Sequence, residues 1–135
     1  MPRKTDSKNP SDWILIAESD MELVRAGAKQ ELGYAATRSK LAEVLEKVLK
    51  AELIRLGWPL EKTHELDRLL DELIKRGSDL VPAVEPLCDA LTDVYFTDRY
   101  PGFDIDDPDW PRLRAQVEGV TALLETVKSR LPAQP

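Results

Sequence analysis

Two short stretches of the chain carry the residues best suited to chemistry. Residues 61–66 contain His64, the only histidine, and residues 97–102 contain Arg99 followed by Tyr100. An imidazole takes or gives a proton near neutral pH, and a guanidinium binds phosphate oxygens through its planar fork. His64 and Arg99 are therefore candidate catalytic residues for metal-independent RNA cleavage, in which one group activates the 2′-hydroxyl and a cation stabilises the phosphorane.

Each of these residues also has a structural interpretation. His64 could hydrogen-bond a neighbouring loop, and Arg99 could pair with the acidic side chains that follow it in the sequence. Tyr100 precedes a proline, so it could stack on a base or close one end of the fold. Three further residues are candidate ligand contacts, namely Lys47, Lys50 and Thr63, although surface lysines usually belong to a solvated face.

Metal or cofactor chemistry is not indicated by the sequence, and we expect neither. One cysteine and one histidine do not make an ordinary zinc site within a single chain. The acids at 104, 106, 107 and 109 lack the glycine and the final glutamate of a calcium loop. Cys88 lies among apolar residues, so we expect it in the core, and a lone cysteine suits a reducing compartment.

Composition excludes several classes of protein. The chain has 135 residues, 42% hydrophobic and 33% charged, which is typical of one soluble domain. Its 19 basic and 25 acidic residues give a net charge of −6, so broad electrostatic binding to duplex nucleic acid is not expected. No apolar run reaches the roughly 20 residues that span a bilayer, and no signal sequence is visible. We expect a cytoplasmic protein without a membrane segment.

Helical periodicity runs through the chain, and no strand pattern competes with it. We predict a flexible leader over 1–10, one helical domain over 11–131 and a tail over 132–135. Its predicted helices span about 12–31 and 35–56, start at Thr63 and Ser78, and run from about 107 to 131. Ser11 and Thr63 are the predicted caps of the first and third helices, and Gly33 and Gly57 are predicted to end the first and second. The expected fold is all-α, an antiparallel up-down bundle of four to five helices.

The same periodicity predicts which faces are buried. For the first helix the predicted face contains Trp13, Ile16, Ala17, Val24 and Ala28, and Ile14 and Leu15 widen this stripe. On the second helix, four charged positions are expected to point away from the core and to form the pairs Glu43–Lys47 and Glu46–Lys50. The third helix should bury a stripe that includes Ile74. The last carries a narrow seam, from Trp110 to Leu131, for neighbouring helices or a partner chain.

Topology then suggests where the candidate residues meet. In an up-down bundle the second helix ends where the third begins, and the fourth helix returns to that same end. His64, Arg99, Tyr100 and Trp58 should therefore lie together, with Lys50 about two turns away.

Three segments in this order, residues 46–53, 62–66 and 99–102, resemble the HEPN family (higher eukaryotes and prokaryotes nucleotide-binding domain). The resemblance implies an all-α bundle that usually forms a homodimer. It also implies a minimal nucleotidyltransferase as partner, in operons regarded as toxin–antitoxin pairs. Some members are metal-independent ribonucleases, and others bind nucleotides without cutting anything.

The sequence departs from that family pattern in two places. Ribonuclease members carry an arginine and a histidine with four to six residues between them, whereas eight residues separate Arg55 from His64 here. The tyrosine that the transferase modifies in some members is lacking, and Ala42 and Glu43 replace a common pair of glutamines. The favoured hypothesis is therefore binding of a nucleotide or RNA phosphate without catalysis. A ribonuclease toxin, and a helical protein-interaction module using the 110–131 seam and flanking surfaces, are the alternatives.

Overall fold

Residues 7–92, 94 and 107–132 are described by the structure, a computed structural model of the chain. Within these ranges the elements are helices: α1 (Pro10–Gln30), α2 (Tyr34–Arg55), α3 (Leu66–Lys75), α4 (Val81–Leu91) and α5 (Trp110–Ser129). The prediction of an all-helical bundle is confirmed. Across the described residues no helix is long and apolar enough to pass through a membrane.

Residue types at the boundaries explain where α1 and α2 start and stop. Asn9 caps α1, because its side-chain oxygen accepts a hydrogen bond from the Ser11 amide at 3.0 Å. The predicted cap, Ser11, is wrong and lies inside the helix. Glu31 ends α1 in the left-handed conformation, with φ 55°. Gly33, predicted to end α1, instead precedes α2 with φ 54°, a conformation that glycine adopts at little cost.

The buried face of α1 agrees with the predicted one at Ala17, Val24 and Ala28 and differs from it at Ile16. Its core side chains are Ile14, Ala17, Met21, Val24 and Ala28. Ile16 was expected in the core, but its exposed fraction is 52%. The predicted inward position of Ile74 on α3 is also wrong, since half of that side chain is exposed.

Helix α2 is the centre of the bundle, because it packs against α1, α3, α4 and α5. The expectation that its charged residues point outward is therefore wrong for Glu46 and Lys50, which are buried. Their predicted ion pair is present, with Lys50 Nζ 2.8 Å from Glu46 Oε2. The other predicted pair is replaced, since Glu43 pairs with Lys40 at 2.8 Å and Lys47 pairs with Asp20 of α1.

Ion pairs between helices fix the directions of α1 and α5. Arg114, near the start of α5, lies 3.0 Å from Glu31 at the end of α1. Lys128, near the end of α5, lies 2.7 Å from Glu18 near the start of α1. The two helices are therefore antiparallel.

A second cluster joins the C-terminal ends of α2 and α5 to the turn after α3. Glu52 of α2 is fully buried, and its carboxylate accepts hydrogen bonds from Arg55 at 2.6 Å and from Arg130 at 2.7 Å. Arg130 also binds Asp79 through two hydrogen bonds of 2.9 and 2.7 Å. Because Asp79 follows the end of α3, that end lies beside the end of α2. The expectation that α2 finishes where α3 begins is therefore wrong.

The connection between α2 and α3 explains this difference. Gly57 ends α2 with φ 91°, as predicted, and Trp58 and Leu60 then pack against the core. This connection, residues 56–65, returns along α2 before α3 starts. Thr63, the predicted cap of α3, accepts a hydrogen bond from the Glu65 amide at 3.2 Å, and the helix begins only at Leu66.

Helix α5 buries the predicted seam inside the chain itself. Asp109 caps the helix by accepting a hydrogen bond from the Arg112 amide at 3.1 Å. The buried positions are Leu113, Val117, Val120, Leu123, Leu124 and Val127, and they pack on α1, α2 and α4. The buried seam side chains are therefore used within the chain, so the interaction-module alternative has to rely on the surfaces that flank the seam.

Candidate functional site

His64 lies in the 56–65 connection, two residues before α3. Its Nδ1 is 3.2 Å from both carboxylate oxygens of Glu46. The His64 side chain is 65% exposed, whereas the Glu46 side chain is only 10% exposed. The imidazole therefore sits on the surface with one nitrogen against a carboxylate that belongs to the central helix.

Behind Glu46 the polar contacts continue into the bundle. Lys50, one turn further along α2, is 5% exposed at its side chain and places Nζ 2.8 Å from Glu46. The same ammonium lies 5.1 Å from the centre of the Trp13 ring, a distance at which the ring attracts a cation. Trp13 is fixed in turn, because its indole N–H donates to the Ser7 carbonyl at 2.8 Å. We call the set Trp13, Lys50, Glu46 and His64 the α2 relay.

The end of α4 reaches the same place. A small cavity beside His64 is lined by Ser39, Ala42, Glu43, Glu46, Leu66, Leu91 and Thr92. Thr92 donates a hydrogen bond to Asp67 at 2.9 Å, which ties the end of α4 to the start of α3. The expected meeting of His64 with the end of the fourth helix is therefore present.

Arg99 and Tyr100, the other half of the predicted site, lie outside the described residues. Trp58, predicted at the same end, is buried near the C-terminal end of α2, where its backbone amide donates to the Leu53 carbonyl at 2.9 Å. His64 instead faces residue 46, eleven positions before Gly57 and so about 16 Å back along the helix axis. The site thus lies beside the middle of α2 and not at its C-terminal end.

The predicted ligand contacts divide into two groups. Thr63 is adjacent to His64 and partly exposed, with its hydroxyl turned to the Glu65 amide. Lys47 and Lys50 both direct their ammonium groups at carboxylates, Asp20 and Glu46 respectively. The Lys50 ammonium is buried, so it does not reach a ligand at the surface directly. Its contact with the site is the ion pair with Glu46.

Glu46 is the residue that sequence reasoning missed as part of the site. A signal for it exists: residues 42, 46, 49 and 53 follow helical spacing, and the three neighbours of Glu46 in that series are alanine or leucine. A glutamate in an apolar stripe, with a lysine four residues later, indicates a buried ion pair. Partner identity depends on which segment packs there, and the sequence does not contain that information.

Cys88 behaves as the core residue that the sequence predicts. It is fully buried, and its thiol lies 3.8 Å from the Leu66 carbonyl. Burial raises the pKa of the Cys88 thiol to about 12, with a smaller contribution from the charge of Asp67. A thiol in this state is protonated at neutral pH and does not serve as a nucleophile.

Comparison with known families agrees with this architecture. The HEPN domain family model matches residues 10–129, which is most of the chain. The chain belongs to the HEPN family. No curated protein and no solved structure matches it significantly. HEPN domains are generally connected with nucleotides or RNA, so a nucleotide or RNA ligand is the class to test on this HEPN domain.

Proposed function

We propose that this HEPN protein binds a nucleotide or an RNA phosphate at the surface where His64, Thr63 and the end of α4 meet. The observation that carries the proposal is the exposed imidazole held against a nearly buried carboxylate. A ring restrained in this way loses less conformational freedom when it contacts a ligand. In its protonated form it can donate a hydrogen bond to a phosphate oxygen.

Arg99 and Tyr100 complete the proposed site. They follow Leu91, the last residue of α4, by eight and nine positions in the sequence, and the end of α4 lies beside His64. In the proposal, Arg99 binds phosphate through its guanidinium and Tyr100 stacks on a base. Removing either side chain should therefore weaken binding in the same titration that tests His64.

Isothermal calorimetry with ATP, GTP and a short single-stranded RNA tests the site. We expect binding of at least one of these ligands, and a loss of about tenfold in affinity for His64→Ala, since a hydrogen bond to a charged group is worth about that much. Lys75→Ala is the matched control, because that exposed cation lies at the opposite end of α3. No heat with any ligand, or an equal loss in the control, would exclude the proposed site.

We also propose a minimal nucleotidyltransferase as the partner, in a toxin–antitoxin-like pair. The family membership supports this proposal. The gene beside this one should encode such a transferase, and the two proteins should co-purify after joint expression. A neighbouring gene of another kind, together with a failure to co-purify, would contradict the pairing.

A metal-independent ribonuclease is the second candidate, and the contact between His64 and Glu46 favours it. A carboxylate on one ring nitrogen can orient an imidazole as a general base. Expression of the chain alone should then arrest growth and cleave RNA in the presence of a chelator, and His64→Ala should relieve both effects. Harmless expression with intact RNA would exclude this activity.

We propose that the protein is a homodimer whose interface includes the outer face of α1. Leu15 is 68% exposed, and Ile16 and Leu23 are also exposed on this helix, an arrangement that favours association in water. Light scattering should give twice the chain mass for wild type and a shift toward monomer for Leu15→Ser with Leu23→Ser. Ile74→Ser, an exposed apolar position on α3, is the control and should stay dimeric.

A further inference from the structure

We infer that Glu46 and Lys50 are positioning residues that hold the His64 ring in one tautomer, with the proton on Nδ1. Both carboxylate oxygens of Glu46 lie 3.2 Å from Nδ1 of the ring. An ionised carboxylate accepts hydrogen bonds and has none to give. A neutral imidazole in this contact therefore carries its proton on Nδ1.

Lys50 stabilises the ionised form of Glu46 beside His64. A carboxylate with only 10% of its side chain exposed is costly to keep ionised without a compensating charge. The buried ammonium of Lys50 supplies that charge at 2.8 Å, and the Trp13 ring lies 5.1 Å from the same ammonium. The pair thus keeps Glu46 as an acceptor toward the surface, where His64 meets it.

The consequence for the site is a defined chemical character of the second ring nitrogen. With Nδ1–H held by Glu46, the neutral ring presents Nε2 as a hydrogen-bond acceptor directed away from Glu46, and the protonated ring presents there the Nε2–H donor that a phosphate oxygen accepts. The inference extends the proposed function, on which it rests. It assigns Nε2 as the atom that contacts the ligand, and it assigns Glu46 and Lys50 of α2 as the residues that set the tautomer of the ring.

Nitrogen NMR tests the inference directly, because the chain contains a single histidine and gives a single imidazole. Protein labelled with ¹⁵N at histidine is measured at alkaline pH, where an imidazole is neutral. For wild type we expect the Nδ1 resonance at the protonated position and the Nε2 resonance at the unprotonated one. The opposite assignment would overturn the inference.

The deciding variant removes both charges and the acceptor together, as Glu46→Leu with Lys50→Met. Replacing a buried ion pair by neutral groups of similar size usually preserves the fold, whereas removing one partner strands a charge. In this double variant we expect the ring to lose its Nδ1–H preference. Glu72→Gln is the control, since Glu72 is a buried carboxylate of α3 that pairs with Arg68, Lys75 and Arg76 and does not line the cavity beside His64. An unchanged tautomer in the double variant, or the same change in the control, would overturn the positioning role.

Ligand titration separates this inference from the proposed function. The double variant should lose about tenfold in affinity for whichever of ATP, GTP or RNA binds wild type, matching His64→Ala. If no ligand binds wild type while the tautomer is as expected, the proposed function fails and the positioning role stands. If ligand binds equally to wild type and double variant while the tautomer changes, the assignment of Nε2 as the contact atom fails.

Discussion

At the scale of single residues, Glu52 is the buried carboxylate through which two arginines join the ends of two helices. Its carboxylate is fully buried, and Arg55 and Arg130 donate to it from the ends of α2 and α5. Hydrogen bonding with Glu52 raises the pKa of Arg55, and hydrogen bonding with Asp79 raises the pKa of Arg130. A buried carboxylate depends on such partners to remain ionised.

Arg130→Met should therefore destabilise the protein. The substitution removes one of two cations from a carboxylate that water does not reach, and we expect the free energy of unfolding to fall by about 2–4 kcal/mol. Urea unfolding followed by tryptophan fluorescence measures this change. Arg112→Met, an exposed position near the start of α5, should change stability by less than about 0.5 kcal/mol. Equal effects of the two substitutions would show that Glu52 does not need Arg130.

Asp79 makes the same cluster sensitive to acid. Its hydrogen bonds with Arg130 lower the pKa of Asp79 below the usual value, which is about 3.9 for an unfolded chain. The pair therefore stabilises the folded state above that value, and the contribution disappears as pH falls through the lower, folded-state pKa.

We accordingly expect Asp79→Asn to lower stability at pH 7 and to bring the variant and wild type closer together as the pH is lowered from 5 toward 2. Urea midpoints across this range provide the measurement. Asp71→Asn, an exposed carboxylate on α3, is the control and should follow the wild-type profile. A constant gap between Asp79→Asn and wild type at every pH would contradict the assignment.

At the scale of elements, periodicity identified the helices well and their faces less well. On α1 two apolar stripes overlap, one through Ile16 and one through Ile14, and both have helical spacing. Only the packing partner decides between them, and α2 selects the stripe with Ile14. The sequence likewise predicts outward positions for the charged residues of α2, and Glu46 and Lys50 are buried instead. A sequence does not show how many neighbours surround a helix.

Truncating these two isoleucines in turn tests the face of α1. Ile14→Ala removes a buried side chain and leaves a cavity, so we expect a loss of about 2–4 kcal/mol. Ile16→Ala changes an exposed position and should cost less than about 1 kcal/mol. Equilibrium unfolding in urea compares the two, and a larger effect at Ile16 would mean that α1 is rotated about its axis.

Close approach of α1 and α2 depends on Gly27. A Cβ at this position would lie 2.5 Å from the Thr37 hydroxyl oxygen, and that hydroxyl donates to the Leu32 carbonyl at 2.8 Å. Gly27→Ala should therefore cost about 1–3 kcal/mol. In a Thr37→Ala background the clash is gone, and the same substitution should become stabilising by about 0.5–1 kcal/mol, since alanine favours a helix over glycine. Additive effects in this cycle would exclude the contact.

At the scale of the whole molecule, the net charge of −6 confines any nucleic-acid binding to a small area. Contact with one or two phosphates of a single strand gives a slope of about −0.7 to −1.4 in log affinity against log salt. RNA binding measured by fluorescence anisotropy between 50 and 300 mM salt should show this shallow slope. A slope near −4 or steeper would indicate an extended basic track, which the site around His64 does not provide.

The sequence predicted the class of the molecule and the meeting of His64 with the end of α4, because both follow from local periodicity and chain order. It did not predict the position of His64 along α2. That position depends on the 56–65 connection, whose path is set by Trp58 and Leu60 packing on the core. Tertiary contacts of this kind have no local signature, and Glu46 was missed as the partner of His64 for that reason.

The α2 relay joins a central helix to an irregular segment, and we expect the backbones of the two to open to solvent at very different rates. Glu46 and Lys50 stand on a helix enclosed by four others, so their amides should exchange with deuterium only when the whole domain unfolds. His64 stands on an irregular segment whose backbone can open locally within a folded domain. Ligand binding should therefore slow deuterium uptake over residues 57–65 and leave uptake in α2 unchanged. Glu46 and Lys50 would keep their positions in both states, and the backbone around His64 would become ordered when the ligand binds.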